Sequence, residues 1–172
     1  MKQNNWHGIL TIIEIQHKDF YGNILWEQKN INNILHQDGE EFLLRAAFIG
    51  GQNSTIIPAN YYLGLDNRAT ISVTDTIDDI IGEPSSGGYE RQAVSSSDDF
   101  SMSFENDHFV ALSPIVVFRS TSGNWGPCAN LFLTTASDDT GYLISTAALD
   151  DTISLTIGDN VTMRIGMRLK PC

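Results

Sequence analysis

From Val161 to Leu169 every second residue is apolar: Val161, Met163, Ile165, Met167 and Leu169 alternate with Thr162, Arg164, Gly166 and Arg168, and Lys170 continues the polar set. Side chains of an extended chain point to opposite faces with a period of two, so this stretch is a strand with one face in a core and one in water; a helix would scatter the same residues around its axis. The outward face gathers Arg164, Arg168 and Lys170 into a basic stripe on a chain whose net charge is −11. Such a stripe can meet an acidic surface or simply be solvated. Just before it, Ile153 to Ile157 is again extended in character. Gly158-Asp159-Asn160 between the two tolerates positive φ, which predicts a tight hairpin joining them.

The same signature recurs through the chain. Phe109 to Phe118, Leu131 to Thr135 and Tyr142 to Thr146 are short apolar runs separated by loops of Ser, Thr, Asp, Asn and Gly, the spacing of a sandwich. Pro114 cannot donate to a ladder and marks an edge or a bulge. Near the N-terminus, Gly8 to Gln16 and Ile24 to Gln28 flank turn residues Lys18 to Asn23 and read as a hairpin. Tyr61 to Leu65 is a buried strand and Tyr89 to Ser95 a half-exposed one; Thr74 to Ile81 is either a helical turn or an irregular crossing. One helix is expected near residues 38–48, with Asp38 as cap, Glu40 and Glu41 at the positive end of the dipole, Phe42, Leu43, Ala46 and Ala47 on one face, and Gly50-Gly51 as terminator. The fold class is therefore mainly β, an antiparallel, jelly-roll-like β-sandwich with one short helix. A length of 172 residues suits one core, with residues 1–7 as an N-terminal arm and 8–172 as a single domain.

Composition narrows the function. With 21 acidic against 10 basic side chains, most of the surface repels a polyanion, so nucleic acid is not an expected partner. No stretch approaches the roughly 20 apolar residues of a membrane helix, and Met1 to Trp6 lacks the pattern of a secretory signal; no membrane partner and synthesis in a cytoplasm are expected. Cys128 and Cys172 read as free thiols. The acidic pairs Asp78-Asp79, Asp98-Asp99, Asp138-Asp139 and Asp150-Asp151 lack calcium-loop spacing and read as solvated turns. His7, His17, His36 and His108 join no nucleophile motif and read as surface or strand histidines. Gly50-Gly51 follows a helix and Gly87-Gly88 precedes a strand, so neither cradles a phosphate. No catalytic residue, cofactor or metal is expected, and the lack of a repeat argues against a fibre shaft.

Two aromatics stand out in polar surroundings. Trp6, near the terminus, and Trp125, in Ser-Gly-Asn-Trp-Gly-Pro, are candidate interface anchors, or else each tucks under its own end of the sandwich. With Arg164, Arg168 and Lys170 they form the set of candidate partner contacts.

Three phrases, in order, carry a resemblance: Asn33 to Phe48; Tyr61-Tyr62-Leu63-Gly64-Leu65; and Gly87-Gly88-Tyr89-Glu90-Arg91-Gln92-Ala93-Val94. Through these phrases the resemblance covers roughly Gly8 to Val94, and the closing Gly158-Asp159-Asn160 strand matches more softly. The chain resembles a family of virion structural proteins of tailed bacteriophages. The resemblance implies a capsid decoration, or cement, protein on the outer head surface, with the major capsid protein and copies of itself as partners, a trimer being one arrangement of those copies. The alternatives are a tail-fibre, baseplate or connector component, and, in another class, a carbohydrate-binding or glycan-cleaving sandwich module supported by Trp125.

Overall fold

The computed structural model describes residues 6–49, 57–105 and 108–171. Along them run β1 (Trp6–Lys18), β2 (Ile24–Asn32), β3 (Ile34–Leu35), α1 (Gln37–Leu44), β4 (Asn60–Asp66), β5 (Gln92–Ser95), β6 (Ser101–Glu105), β7 (His108–Leu112), β8 (Val116–Arg119), β9 (Trp125–Thr134), β10 (Leu143–Leu155) and β11 (Asn160–Pro171). The alternating C-terminal strand organises one sheet. β1 lies antiparallel to β11 along its whole length, Trp6 opposite Pro171 and Lys18 opposite Asn160. The order is β2-β1-β11-β7-β6, with β8 also on β11; the second sheet is β3-β10-β9-β4-β5. The two sheets form the expected antiparallel β-sandwich with its one short helix.

Alternation puts Ile15, Val161, Met163 and Ile165 of the first sheet against Leu63, Leu65, Leu131 and Leu133 of the second, and these make the main core. The opposite face of the second sheet is not left to water. Phe132 and Leu143 on that face are covered by Ile77 and Ile80 from the long connection between β4 and β5. The Phe132 ring lies over Gly64, where a Cβ would come within 2.2 Å of it, so only glycine allows this second, smaller core to form there.

Several local expectations are corrected. Leu143–Leu155 is one strand, not two: the Asp150 N–H is met by the Gln28 side chain at 3.0 Å, which lets the acidic pair stay extended. The Gly158-Asp159-Asn160 turn exists, with Gly158 at φ 94° and the Asp159 carboxylate accepting from the Thr156 hydroxyl at 2.7 Å. It is a corner between sheets and not a hairpin, because β11 is already paired on both sides, by β1 and by β7 and β8, while Ile153 and Leu155 pair with β9. Pro114 separates β7 from β8. β9 begins at Trp125, so the expected loop there is strand. Tyr89 to Glu90 is loop, and only Gln92–Ser95 pairs, with β4. Ser101–Glu105 is a further strand, β6, paired with β7. Thr74 to Ile81 contains a single 3-10 turn, Ile77–Asp79. Trp6 and His7 belong to β1; residues 1–5 of the expected arm, like the Gly50-Gly51 terminator and Cys172, lie outside the described residues.

The helix starts one residue early and on different terms. His36 is its N-cap, without a side-chain capping bond. The Asp38 carboxylate instead accepts the Leu143 N–H at 2.7 Å, tying the first turn to β10. A Cβ at Gly39 would lie 2.3 Å from the Ile144 carbonyl oxygen, which shows how closely helix and strand approach. After Leu44 the helix widens into a π turn, Arg45–Ile49. Phe42 is its buried anchor, packed on Tyr61 and Tyr142, while Leu43 and Leu44 face outward. Phe42→Ala is expected to cost roughly 3–5 kcal/mol and Leu43→Ala less than about 1 kcal/mol. Urea unfolding of the two variants measures the difference; equal losses would mean the helix docks by another face.

Candidate functional site

What fixes the helix is a buried polar network on the covered face of the second sheet. Asp66 ends β4, and register places it beside Asn130 of β9. Both are almost fully buried, as are Arg68, Thr146 and His36. A buried guanidinium is tolerable only with its donors occupied. Arg68 meets this condition: Nε and Nη2 reach Asp66 at 3.1–3.2 Å, Nη1 reaches Asp75 at 3.0 Å, and Nη2 donates to the Thr146 hydroxyl at 2.9 Å. Asn130 donates to both the Asp66 carboxylate and the Arg68 carbonyl at 2.9 Å. His36 closes the set, Nδ1 on the Ser72 carbonyl and Nε2 on Thr146 Oγ1, each at 2.8 Å. A carbonyl only accepts, so Nδ1 carries the proton. Thr146 accepts from Arg68, and its own proton is free to serve Nε2, an arrangement that suits the neutral imidazole which burial favours. His36, which the sequence leaves as a surface or strand histidine, is thus an interior strut. Burial lowers its pKa, with the Arg68 charge acting the same way against Asp75 and Asp66.

The rest of the β4–β5 connection is pinned similarly. Arg91 binds Glu83 at 2.7 Å and Asp139 at 2.6 Å and stacks over Phe132, 5.2 Å from its centroid. The Tyr89 hydroxyl accepts the Leu65 N–H at 2.7 Å and donates to Glu83 at 2.9 Å. Gly87 and Gly88, both at positive φ, bring the backbone against Trp125 and Thr121. The Gly-Gly-Tyr-x-Arg-Gln phrase is therefore a clasp on the sheet.

That clasp decides the fate of Trp125. It is 4% exposed, edge-on to Tyr89 with centroids 5.3 Å apart, so the tucked alternative is what the structure shows, and it offers no exposed platform. A cleft of about 130 Å³ opens beside it, lined by Tyr89, Glu90, Gln92, Arg119 and Thr121 among others. Cys128 is buried and its thiol pushed up to about 12 by burial, the opposite of an activated nucleophile. Arg164 is exposed and donates to the Ser113 carbonyl at 3.0 Å; Arg168 is half-buried with its Nε enclosed. The two share the face of β11 that carries Val110 and Leu112 on β7. Trp6 and Lys170 lie in paired strands, and their side chains are outside the described residues. Of the candidates whose side chains are described, Trp125 lies in the core, while Arg164 and Arg168 lie on the face of β11 opposite the core residues Met163 and Ile165.

What the sequence did not single out is exposed apolar surface at the two ends of the sandwich. At one end the helix presents Leu43, Leu44 and Ile49, with Phe48 82% exposed. The same end holds the β6–β7 hairpin, since Phe42 packs on Tyr61 and Tyr61 on Phe100, the residue before β6. There Met102, Phe104 and Phe109 are 62–70% exposed. At the other end the β1–β2 turn, held by Asp19–Asn23 hydrogen bonds of 2.8 Å, lifts out Phe20 and Tyr21, with Ile24, Leu25 and Ile157 around them. From Thr11, near the hairpin, to Lys18, at the turn, the strand covers about 23 Å. Exposed apolar clusters of this kind mark contact surfaces. Among the described residues no helix is long and apolar enough to cross a membrane, and no group of His, Cys, Asp and Glu is arranged to hold a metal ion. Comparison with family models, curated proteins and solved structures finds no match for this chain.

The network makes stability depend on pH with a definite sign. The unfolded chain protonates His36 near pH 6.5, whereas the folded chain, with its lowered pKa, does not until lower pH. Stability is therefore full above that value and falls as pH drops through it, by at most about 1.4 kcal/mol per pH unit. His36→Gln should flatten the urea midpoint between pH 7.5 and 5.5; an unchanged slope would place the titration elsewhere. Arg68→Ala leaves the buried Asp66 carboxylate and the half-buried Asp75 without their shared cation and is expected to cost roughly 3–5 kcal/mol.

Proposed function

We propose that this protein is an assembly subunit of a tailed-phage virion and not an enzyme, acting as a decoration protein that binds the outside of the head and ties capsid subunits together. The observation that carries the reading is the pair of exposed apolar surfaces at opposite ends of an acidic sandwich. One chain with two such ends can bridge two neighbours, which a cement protein must do. Burying them on a neighbour supplies the driving force, at about 25 cal/mol per Å² before the costs of association. The net charge of −11 keeps the free protein soluble and away from DNA, consistent with an outer position. The three sequence phrases of the resemblance add to this: the first holds the helix that presents one apolar end, the second is the strand whose Tyr61 packs on Phe42, and the third clasps the β4–β5 connection to the sheet.

The burial of Trp125 takes its support from the glycan-module alternative. Tail fibre, baseplate and connector settings use the same surfaces, and the experiment distinguishes them. Purified protein mixed with expanded, undecorated heads is expected to give ordered density on the outer head surface by cryo-electron microscopy. Tyr21→Asp at the turn, or Phe48→Asp at the helix, whichever end faces the capsid, should weaken head binding by about 2 kcal/mol or more, roughly thirtyfold. Density on tails instead would move the subunit to another part of the virion; binding to neither would overturn the proposal.

A further inference from the structure

Five strands end the two sheets: β3 and β5 in one, β2, β6 and the four-residue β8 in the other. An open edge is a template for another chain, and proteins ordinarily blunt it. β3 has two residues. β5 has four, and the Asp99 carboxylate takes the Ser95 N–H at 2.7 Å. β2 carries Glu27 and Lys29, paired at 2.9 Å, and turns through Asn30 at φ 55°. β6 is less guarded in its sequence. Its sequence, Ser-Met-Ser-Phe-Glu, has no proline and no charge before its last residue, and its register with β7 runs without a bulge.

The phase of that register shows which groups face outward. Glu105 stands opposite His108 across two residues, the spacing of a hydrogen-bonded pair. Met102–Ala111 and Phe104–Phe109 are then the non-hydrogen-bonded pairs. The Phe104 and Phe109 rings, 5.0 Å apart, fit the closer approach of such a pair. Backbone N–H and C=O groups of Met102 and Phe104 accordingly point away from β7. Their side chains lie with Phe109 and Ala111 on one face, the face that Met167 shares with the core residue Ile165. At 62–70% exposure of Met102, Phe104 and Phe109, this face runs on past what the second sheet covers.

We infer that β6 pairs antiparallel with β6 of a second copy of this chain, about a two-fold axis at Ser103, joining the two copies' first sheets edge to edge. In this register Met102 meets the partner's Phe104 and Phe104 meets the partner's Met102, each pair exchanging both backbone hydrogen bonds. Sulfur and ring are neighbours on the exposed face, a favourable contact, and the Phe109 rings flank them. Glu105 falls opposite the partner's Ser101, so the edge brings no like charges together. A symmetric edge of this kind is self-complementary, which is what an isologous dimer requires. The inference does not need the protein to belong to a virion, and it is read on the isolated chain.

Sedimentation equilibrium of the full chain should show a reversible monomer–dimer equilibrium with a limiting mass of twice 19.0 kDa. The dimer should tighten as salt is raised, because salt screens the repulsion of two acidic bodies. Met102→Lys, at a position 70% exposed, should leave only monomer, while Ile24→Lys on the β2 edge should leave the dimer intact. In a Cys172→Ser background, Ser103→Cys should form a disulfide-linked dimer on mild oxidation, since opposite Cα atoms of a non-hydrogen-bonded pair are about 4.5 Å apart and within bridging range. Ser101→Cys, which faces Glu105, should not. A wild-type monomer at every concentration, a trimer, or a dimer untouched by Met102→Lys would overturn the inference. Head binding that fails with the dimer intact would count against the virion reading alone.

Discussion

Arg68 is the constraint on which the outer half of this molecule depends. A guanidinium with 5% of its surface exposed needs a nearly complete set of acceptors, and the chain supplies them from Asp66, Asp75 and Thr146, three separate segments. Meeting that need fixes the path of residues 66–76 across the sheet. The path in turn presents the Ser72 and Val73 carbonyls to His36 Nδ1 and to the Gln37 N–H at 2.8 Å each, which sets where the helix begins. Once its first turn is held there and against β10, Phe42 can only go inward and Leu43, Leu44 and Phe48 outward. The apolar end of the sandwich is thus a consequence of an ion network that it never touches.

The network also explains why the second sheet can be covered on both faces. An antiparallel sheet with one wet face would show clean alternation. Here Gly64, Phe132 and Leu143 face the β4–β5 connection, and the polar members Asp66, Asn130 and Thr146 are satisfied beneath it. The connection therefore behaves as a third layer. It is held by ion pairs at both ends, Arg68 at one and Arg91 at the other, with Ile77 and Ile80 as its apolar middle.

How much of this the sequence displayed follows from the range of the interactions. β11 was legible because alternation is a local property, and so was the β1–β2 hairpin, with Asp19 and Asn23 where the turn needs them. Phe42 stood out by spacing, but Gly39 did not announce that it would press on Ile144, since a close approach leaves no trace in the helix pattern. The single strand β10 was read as two because Asp150 and Asp151 look like a turn unless the Gln28 side chain, distant in sequence, is known to be present. The network itself joins His36 to Thr146 across 110 positions, and none of its members forms a motif. Trp125 went from candidate anchor to core for the same reason: Gly87 and Gly88, which make room for it, are far away along the chain. The exposed ends were missed because a lone Phe or Leu in sequence does not say which way it faces.

One consequence of the β1–β11 pairing concerns how such a molecule comes into being. A ribosome delivers the chain from the N-terminus, so β1 and β2 emerge first, yet the side of β1 opposite β2 has no mate until residues 160–171 have been made. The sheet that contains both ends of the described chain is the last to close, and its loop-closure entropy is met all at once. Until then Ile15 and its neighbours have no completed core to enter, and β1 is a bare strand in a crowded cell, open to wrong pairings. For a protein with this topology, the interval between first and last strand is the period of greatest exposure to misassembly.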